Sequence, residues 1–288
     1  MSQQIAKLTR EWVVDRLPPR PANANKGTFG KVLVVAGSEN YPGAAYLACA
    51  AAYRVGAGLI TLATEPSVKV IVSRKLPEVT FLSREGIFGK IAGYNVLLIG
   101  PGLGQSNQSE KLMEQILKSS LPPAVIDGDG LNMLSKKGKW WERLNGELIL
   151  TPHPGEMSRL TSVSVSKIQS NRVEITQQFA RKWEKVVVLK GANTIISSPI
   201  GEILMSPFAN PALATAGTGD ILAGAIAGLL AQGLKPLDAA GVGVYIHGLA
   251  GEKLSEKIGD RGSLASELLP LLPQAIQDLI NKTEHRVS

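Results

Sequence analysis

The segment with the most chemical content is Thr215-Ala-Gly-Thr-Gly-Asp220, which runs straight into the apolar stretch Ile-Leu-Ala-Gly-Ala-Ile-Ala-Gly-Leu-Leu. Gly217 and Gly219 flank Thr218 and let the backbone turn tightly with its N–H groups converging. A helix beginning near Asp220 adds the positive end of its dipole, and together these form an anion hole suited to a phosphate. A carboxylate would repel that anion. It is in place as a general base that takes a proton from a hydroxyl reacting with the phosphoryl group. An ordinary Asp cap on an apolar helix would look the same, and this segment alone leaves the two readings equal.

Thr151-Pro-His-Pro-Gly-Glu156 is the next candidate. Two prolines stiffen the loop, so His153 and Glu156 are presented at little entropic cost. His153 can hydrogen-bond a substrate, and Glu156 can hold a metal-bound water near phosphates. The plain alternative is a turn with an acid in the following helix's first turn. Val188-Leu-Lys190-Gly-Ala-Asn-Thr194 would suit a nucleotide. Lys190 would lie near phosphate, with Gly191, Ala192, Asn193 and Thr194 around base or ribose; on its own it reads equally as a Lys in a tight turn. Gly100-Pro-Gly-Leu-Gly104 is by itself an ordinary strand-to-helix turn, and Asp127 and Asp129 are as well explained by helix capping as by sugar or metal binding. His247, in an apolar helical stretch, reads as a satisfied core histidine.

These segments follow short apolar runs. Strands are expected at residues 31–36, 59–63, 96–99, 125–127, 148–150 and 186–189, with a hairpin over 194–197 and 202–205. Helices are expected at 11–17, 43–56, 106–119, 220–232, 236–256 and 264–281. Strands alternating with helices predict an α/β fold: an open, mostly parallel sheet with helices on both faces, binding ligands at the carboxyl ends of its strands. With no internal repeat or composition break, residues 1–288 are expected to form a single domain, of which 1–30 are an N-terminal arm.

Several function classes are excluded by composition. The 288 residues are 44% hydrophobic and 19% charged, with 30 glycines and 5% aromatics, which is globular rather than disordered. The net charge is +7, but the basic residues are dispersed, so no nucleic-acid partner is expected. A single cysteine, Cys49, rules out an intramolecular disulfide, and three histidines without paired spacing argue against a zinc site. Cys49 itself reads as a small buried hydrophobe. No apolar run reaches the ~18–20 residues of a membrane span, and no signal core precedes the first strand, so a cytoplasmic protein without membrane contact is expected. Neither a Walker A sequence nor a serine nucleophile elbow occurs.

Taken in order, the segments resemble the NAD(P)H-hydrate dehydratase family of the ribokinase-like superfamily. The resemblance rests on Lys31-Val-Leu-Val-Val-Ala-Gly-Ser38, Gly43-Ala-Ala-Tyr-Leu-Ala48, Gly56-Ala-Gly-Leu-Ile-Thr61, Ile99-Gly-Pro-Gly-Leu-Gly104, Thr151-Pro-His-Pro-Gly-Glu156, Leu189-Lys-Gly-Ala-Asn-Thr194 and Gly217-Thr-Gly-Asp-Ile-Leu-Ala-Gly224. It implies a ribokinase-like fold and ADP- or ATP-dependent dehydration of the S epimer of NADH or NADPH hydrate, with ADP favoured and Mg2+ as cofactor. Matched position by position, Asp220 is the catalytic base, and Gly217, Thr218 and Gly219 hold the phosphoryl group. Ala45, Gly104, His153 and Asp220 contact the substrate. Lys190, Gly191, Ala192, Asn193, Thr194 and Gly219 contact the nucleotide, and Glu156 is the metal-associated residue. The chain departs from the pattern at His153, where many relatives in the fold carry Asn, and at Asp127-Gly-Asp-Gly130. A homotetramer is also implied. Some relatives carry an epimerase domain; about 30 residues ahead of the first strand leave no room for one, so a separate epimerase is the expected functional partner. A vitamin-precursor alcohol kinase of the same fold is the alternative reading; a nucleotide sensor would have no need of Asp220.

Overall fold

Five short apolar runs, Lys31–Val35 (β2), Val96–Ile99 (β5), Ala124–Ile126 (β6), Leu148–Leu150 (β7) and Val186–Leu189 (β8), lie side by side as the parallel centre of the sheet. The computed structural model describes residues 5–284. Leu59–Ala63 (β3) and Thr80–Leu82 (β4) extend the sheet in parallel beyond β2. On the other side Ile195–Ser197 (β9) and Ile203–Met205 (β10) form the expected antiparallel hairpin beside β8, and Ile5–Lys7 (β1) closes that edge in parallel with β10. The order is β1-β10-β9-β8-β7-β6-β5-β2-β3-β4. The chain runs outward from β2 to β4, then returns to β5 on the opposite side of β2. The crevice between the ends of β2 and β5 is therefore the topological switch point, where open α/β sheets bind ligands.

The helices are Arg10–Val14 (α1), Pro42–Arg54 (α2), Pro66–Lys75 (α3), Asn107–Leu117 (α4), Asp129–Ser135 (α5), Pro154–Thr161 (α6), Val165–Ser170 (α7), Arg172–Trp183 (α8), Thr218–Ala231 (α9), Pro236–Ile258 (α10), Ala265–Leu268 (α11) and Leu271–Glu284 (α12). Alternation along each strand divides the core into two layers. Val32 and Val34 point into a cluster with residues of α2, α9 and α10, whereas Leu33 and Val35 point into another with residues of α4, α5 and α8. Burial on both faces explains why the central strands read as continuous apolar runs.

On the first face α2 packs directly against α9. A Cβ on Gly224 would lie 2.2 Å from the Ala48 carbonyl oxygen, and one on Gly228 would lie 2.7 Å from that of Ala52. Glycines in α9 and alanines in α2 thus let two backbones touch, and this close approach brings the start of α9 beside the start of α2.

Three expectations need correction. The N-terminal segment is no loose arm: β1 is paired into the sheet, Leu8 is 2% exposed and Val13 is fully buried. Its helix runs from Arg10 to Val14, capped by the Thr9 hydroxyl, rather than over 11–17. The single helix expected over 264–281 is two, α11 and α12, broken at Pro270, whose missing N–H and ring cannot continue a helix.

Candidate active site

At the expected anion-hole segment Gly217–Gly219 the helix begins two residues earlier than the sequence suggested. Gly217 is the N-cap residue of α9 at a φ of +96°, and a side chain there would strike Leu47 at 2.6 Å. No side chain caps α9. The N–H groups of Gly219 and Asp220 have no partner among the described residues, so both are free to bind an anion. Thr218 serves the loop structurally: its hydroxyl donates to the carbonyls of Leu213 at 2.7 Å and Thr215 at 2.9 Å.

Asp220 stands in the first turn of α9 and so is not the helix cap. Its carboxyl is raised to about 7, first by burial and then by the nearby Asp127 carboxylate, against the lowering pull of Lys190. That value suits a base working near neutrality.

Beside the hole, Lys190 projects from the end of β8. Its Nζ would lie 3.5 Å from a Cβ on Gly219. It donates to Asp127 Oδ1 at 2.5 Å and stands 3.6 Å from Glu156 Oε2. Burial alone would depress this ammonium, but Asp127, Glu156 and Asp220 outweigh it and hold it above its ordinary range. Asp127, 2% exposed, also accepts from the Thr151 hydroxyl at 2.7 Å. Its acid–lysine pairing is long-range in sequence and was not visible there.

The His153–Glu156 loop is a capping box at the start of α6. Glu156 Oε2 accepts from the His153 N–H at 2.7 Å, and His153 Nδ1 accepts from the N–H groups of Gly155 and Glu156 at 3.0 and 3.3 Å. Burial, Lys190 and Arg159 lower the His153 pKa, so the ring is neutral near pH 7 with its proton on Nε2. The His153 side chain remains half exposed, with Nε2 3.5 Å from Glu156 Oε1. Glu156 is buried, which raises its carboxyl.

On the substrate side, Ala45 is fully buried beneath the switch-point crevice, where a Cβ on Gly37 would touch it at 2.8 Å. Gly104 is held by its N–H to Asp129 Oδ2 at 2.9 Å. That contact gives Asp129 a definite task, the orientation of the glycine loop, that spacing did not reveal.

A cavity of about 380 Å³ opens on the other side of Lys190 and Gly219. Gly191, Ala192 and Thr194 line it, as do Phe208, Leu213, Leu222 and His247. An apolar chamber ending at an anion hole fits a nucleoside with its phosphates. Asn193 is not among the lining residues: at a φ of +51° it tightens the turn, and its amide donates to the Ser206 carbonyl. His247 was expected to be a satisfied core residue; it is 8% exposed, reaches the cavity and bonds the Thr218 carbonyl oxygen through Nε2 at 3.0 Å.

No cluster of three acid, His or Cys side chains forms a metal cage among the described residues. Glu156 and Asp127 have oxygens near the anion hole but share them with Lys190, His153 and Thr151. That donor set fits Mg2+ held through waters and a nucleotide's phosphates, the ion's usual habit, rather than a dedicated site.

A family model described as NAD(P)H-hydrate dehydratase matches residues 32–274. The ADP-dependent (S)-NAD(P)H-hydrate dehydratase of Bacillus subtilis is 36% identical, over 92% of this chain and 96% of that one. A crystal structure of the B. subtilis ADP/ATP-dependent enzyme, co-crystallised with ATP and Mg2+, has a TM-score of 0.86 at 35% identity, covering 96% and 100% of the two chains. The bifunctional NAD(P)H-hydrate repair enzyme of Moorella thermoacetica is 41% identical over 96% of this chain, which spans 55% of that longer protein. The chain thus spans about half the length of the bifunctional relatives it matches. The sheet is of the ribokinase-like class. Its order, its free anion hole beside Lys190 and the family match over most of its length agree: the chain belongs to the NAD(P)H-hydrate dehydratase family.

Proposed function

We propose that this protein dehydrates the S epimer of NADH or NADPH hydrate, converting ADP to AMP and phosphate and so returning damaged cofactor to use. The observation that carries the reading is the placement of Asp220 beside two free N–H groups and Lys190, between a nucleoside-sized cavity and the switch-point crevice. ADP would occupy the cavity against Gly191, Ala192 and Thr194, with its terminal phosphoryl at the Gly219 and Asp220 N–H groups. The hydrate would lie towards Ala45, Gly104 and His153. Asp220 takes the proton from the hydrate hydroxyl, whose oxygen attacks the terminal phosphorus, and AMP departs. Developing charge on the phosphoryl oxygens is met by the N–H pair and by Lys190. Loss of phosphate, with a proton from the adjacent carbon, restores the ring double bond. Phosphate leaves far more readily than hydroxide, which is why a phosphoryl-transfer site serves a dehydration. Mg2+, associated with Glu156, would neutralise the nucleotide's phosphates.

ADP is favoured over ATP as donor. The B. subtilis relative's name points to ADP, and its structure's description includes both nucleotides. We also carry as proposals a single catalytic domain, a homotetramer, a cytoplasmic location and an epimerase as functional partner. The bifunctional nature of the longer relatives supports the last of these. Among the described residues no helix is long and apolar enough to cross a membrane.

The test is to mix purified protein, Mg2+ and NADH hydrate, add ADP or ATP, and follow the absorbance of reduced nicotinamide. Return of absorbance only with nucleotide is the expected result. No return, from folded protein that binds nucleotide, would reject the dehydratase and leave the alcohol-kinase alternative.

A further inference from the structure

We infer that His247 reads the nucleoside of the bound nucleotide, through Nδ1 accepting a hydrogen bond from an N–H or O–H donor of that nucleoside. The inference rests on the proposed use of the cavity as the nucleotide site. His247 stands in the middle of α10, and its ring reaches the cavity beside Thr218, Gly219 and Leu222. The Nε2 atom lies 3.0 Å from the Thr218 carbonyl oxygen, which can only accept. Nε2 must therefore carry a proton. Burial holds the ring's pKa down, to about 4, so the ring is neutral and Nδ1 is bare.

Nδ1 has no hydrogen-bond partner among the described residues, yet it is not one of the sealed, unsatisfied buried atoms, which are Arg84 Nε and the Trp140 and Trp183 indole nitrogens. The remaining exposure of His247, 8%, is onto the cavity. The bare nitrogen is thus an acceptor facing a chamber whose nearby wall is largely apolar, with Phe208, Leu213, Leu222 and Val244. An acceptor so placed gains from a donor and loses from a ligand without one. A nucleoside offers the adenine amine, the ribose 2′-hydroxyl and the ribose 3′-hydroxyl. The backbone contact makes the arrangement rigid: the same ring that reads the nucleoside steadies the carbonyl of Thr218, the residue before the anion hole's free N–H groups.

The experiment is calorimetric binding, with Mg2+, of ADP, 2′-deoxy-ADP, 3′-deoxy-ADP and the diphosphate of purine riboside, which lacks the amine. The wild-type chain and a His247→Phe variant are compared. The wild type is expected to bind one of the three analogues about tenfold more weakly than ADP, and that analogue identifies the donor. The variant is expected to bind this analogue and ADP alike. Equal binding of all four ligands by the wild type would overturn the inference without any variant. A variant that keeps the wild-type discrimination, or weakens all four by one factor, would show a purely structural histidine. Absence of ADP binding to the folded wild type would instead overturn the nucleotide-site assignment on which the inference rests.

Discussion

At the scale of single residues, the site is a problem of too many acids. Asp127, Glu156 and Asp220 share one buried cation, Lys190; burial first, and the neighbouring acids after it, raise the carboxyls of Glu156 and Asp220. A base must be ionised to act, so turnover should rise with pH through a midpoint near the Asp220 value of about 7, read from kcat/KM profiles. Asp220→Asn should lower kcat by about 10²- to 10⁴-fold in the absorbance assay. Stability should move the other way. The folded chain holds the Asp220 proton to about 7, whereas an unfolded carboxyl releases it near 3.8, so stability is lost as pH rises between those values. The Asn variant should therefore melt higher than the parent at pH 8, with the advantage vanishing near pH 4. Removing the other end of the network is different. Asp127→Ala should destabilise the protein by about 3 kcal/mol in urea unfolding, the lower part of the range for stranding a buried charge. Glu156, at 3.6 Å, still faces Lys190 and limits the loss.

At the scale of elements, α2 and α9 hold the anion hole in place by touching through small residues. Gly224→Ala would improve helix propensity by up to about 1 kcal/mol yet push a methyl into the Ala48 carbonyl at 2.2 Å. Backbone cannot yield cheaply, so a net loss of about 1–3 kcal/mol is expected, with a lower kcat because the start of α9 shifts. Gly43→Ala in α2 is the matched control. A Cβ there meets nothing within 4 Å, so this change should leave stability equal or higher by up to about 1 kcal/mol. The capping box of α6 follows the same logic: His153 is fastened by two backbone N–H groups before any ligand arrives.

At the scale of the whole molecule, the sheet, ten strands among the described residues, has β1 on one edge. Deleting residues 1–8 would bare the β10 edge and remove buried Leu8, so the melting temperature should fall. Metal removal should act on ligand binding and not on folding. No cage of side chains depends on the ion among the described residues, so EDTA should leave the melting temperature of the nucleotide-free protein unchanged. It should abolish the increase that ADP with Mg2+ produces by binding the native state, and should stop turnover.

Much of this was legible in order along the chain. The central strands announced themselves because burial on both faces demands unbroken apolar runs, and the Gly-Thr-Gly-Asp turn because two glycines ahead of an apolar helix let the free N–H groups of its first turn converge. The helices at 165–170, 172–183 and 66–75 escaped notice, since their apolar residues are interrupted by polar and charged ones, and the helix at 154–161 was foreseen only as the plain alternative for Glu156. Strand β1 was hidden for another reason: its three residues are exposed, and only the β10 edge makes them a strand. Residue types and local spacing by themselves determined the α/β class of the sheet and marked Gly217–Asp220 as a segment where either an anion hole with a base or a plain helix cap would fit. Tertiary structure alone decided that Asp127 pairs with Lys190, 63 residues away, that Asp129 fastens Gly104, that Asn193 turns back to Ser206, and that His247 reaches the cavity. Those outcomes depend on which strand ends the sheet order places side by side, and sheet order is a long-range property that no local pattern encodes.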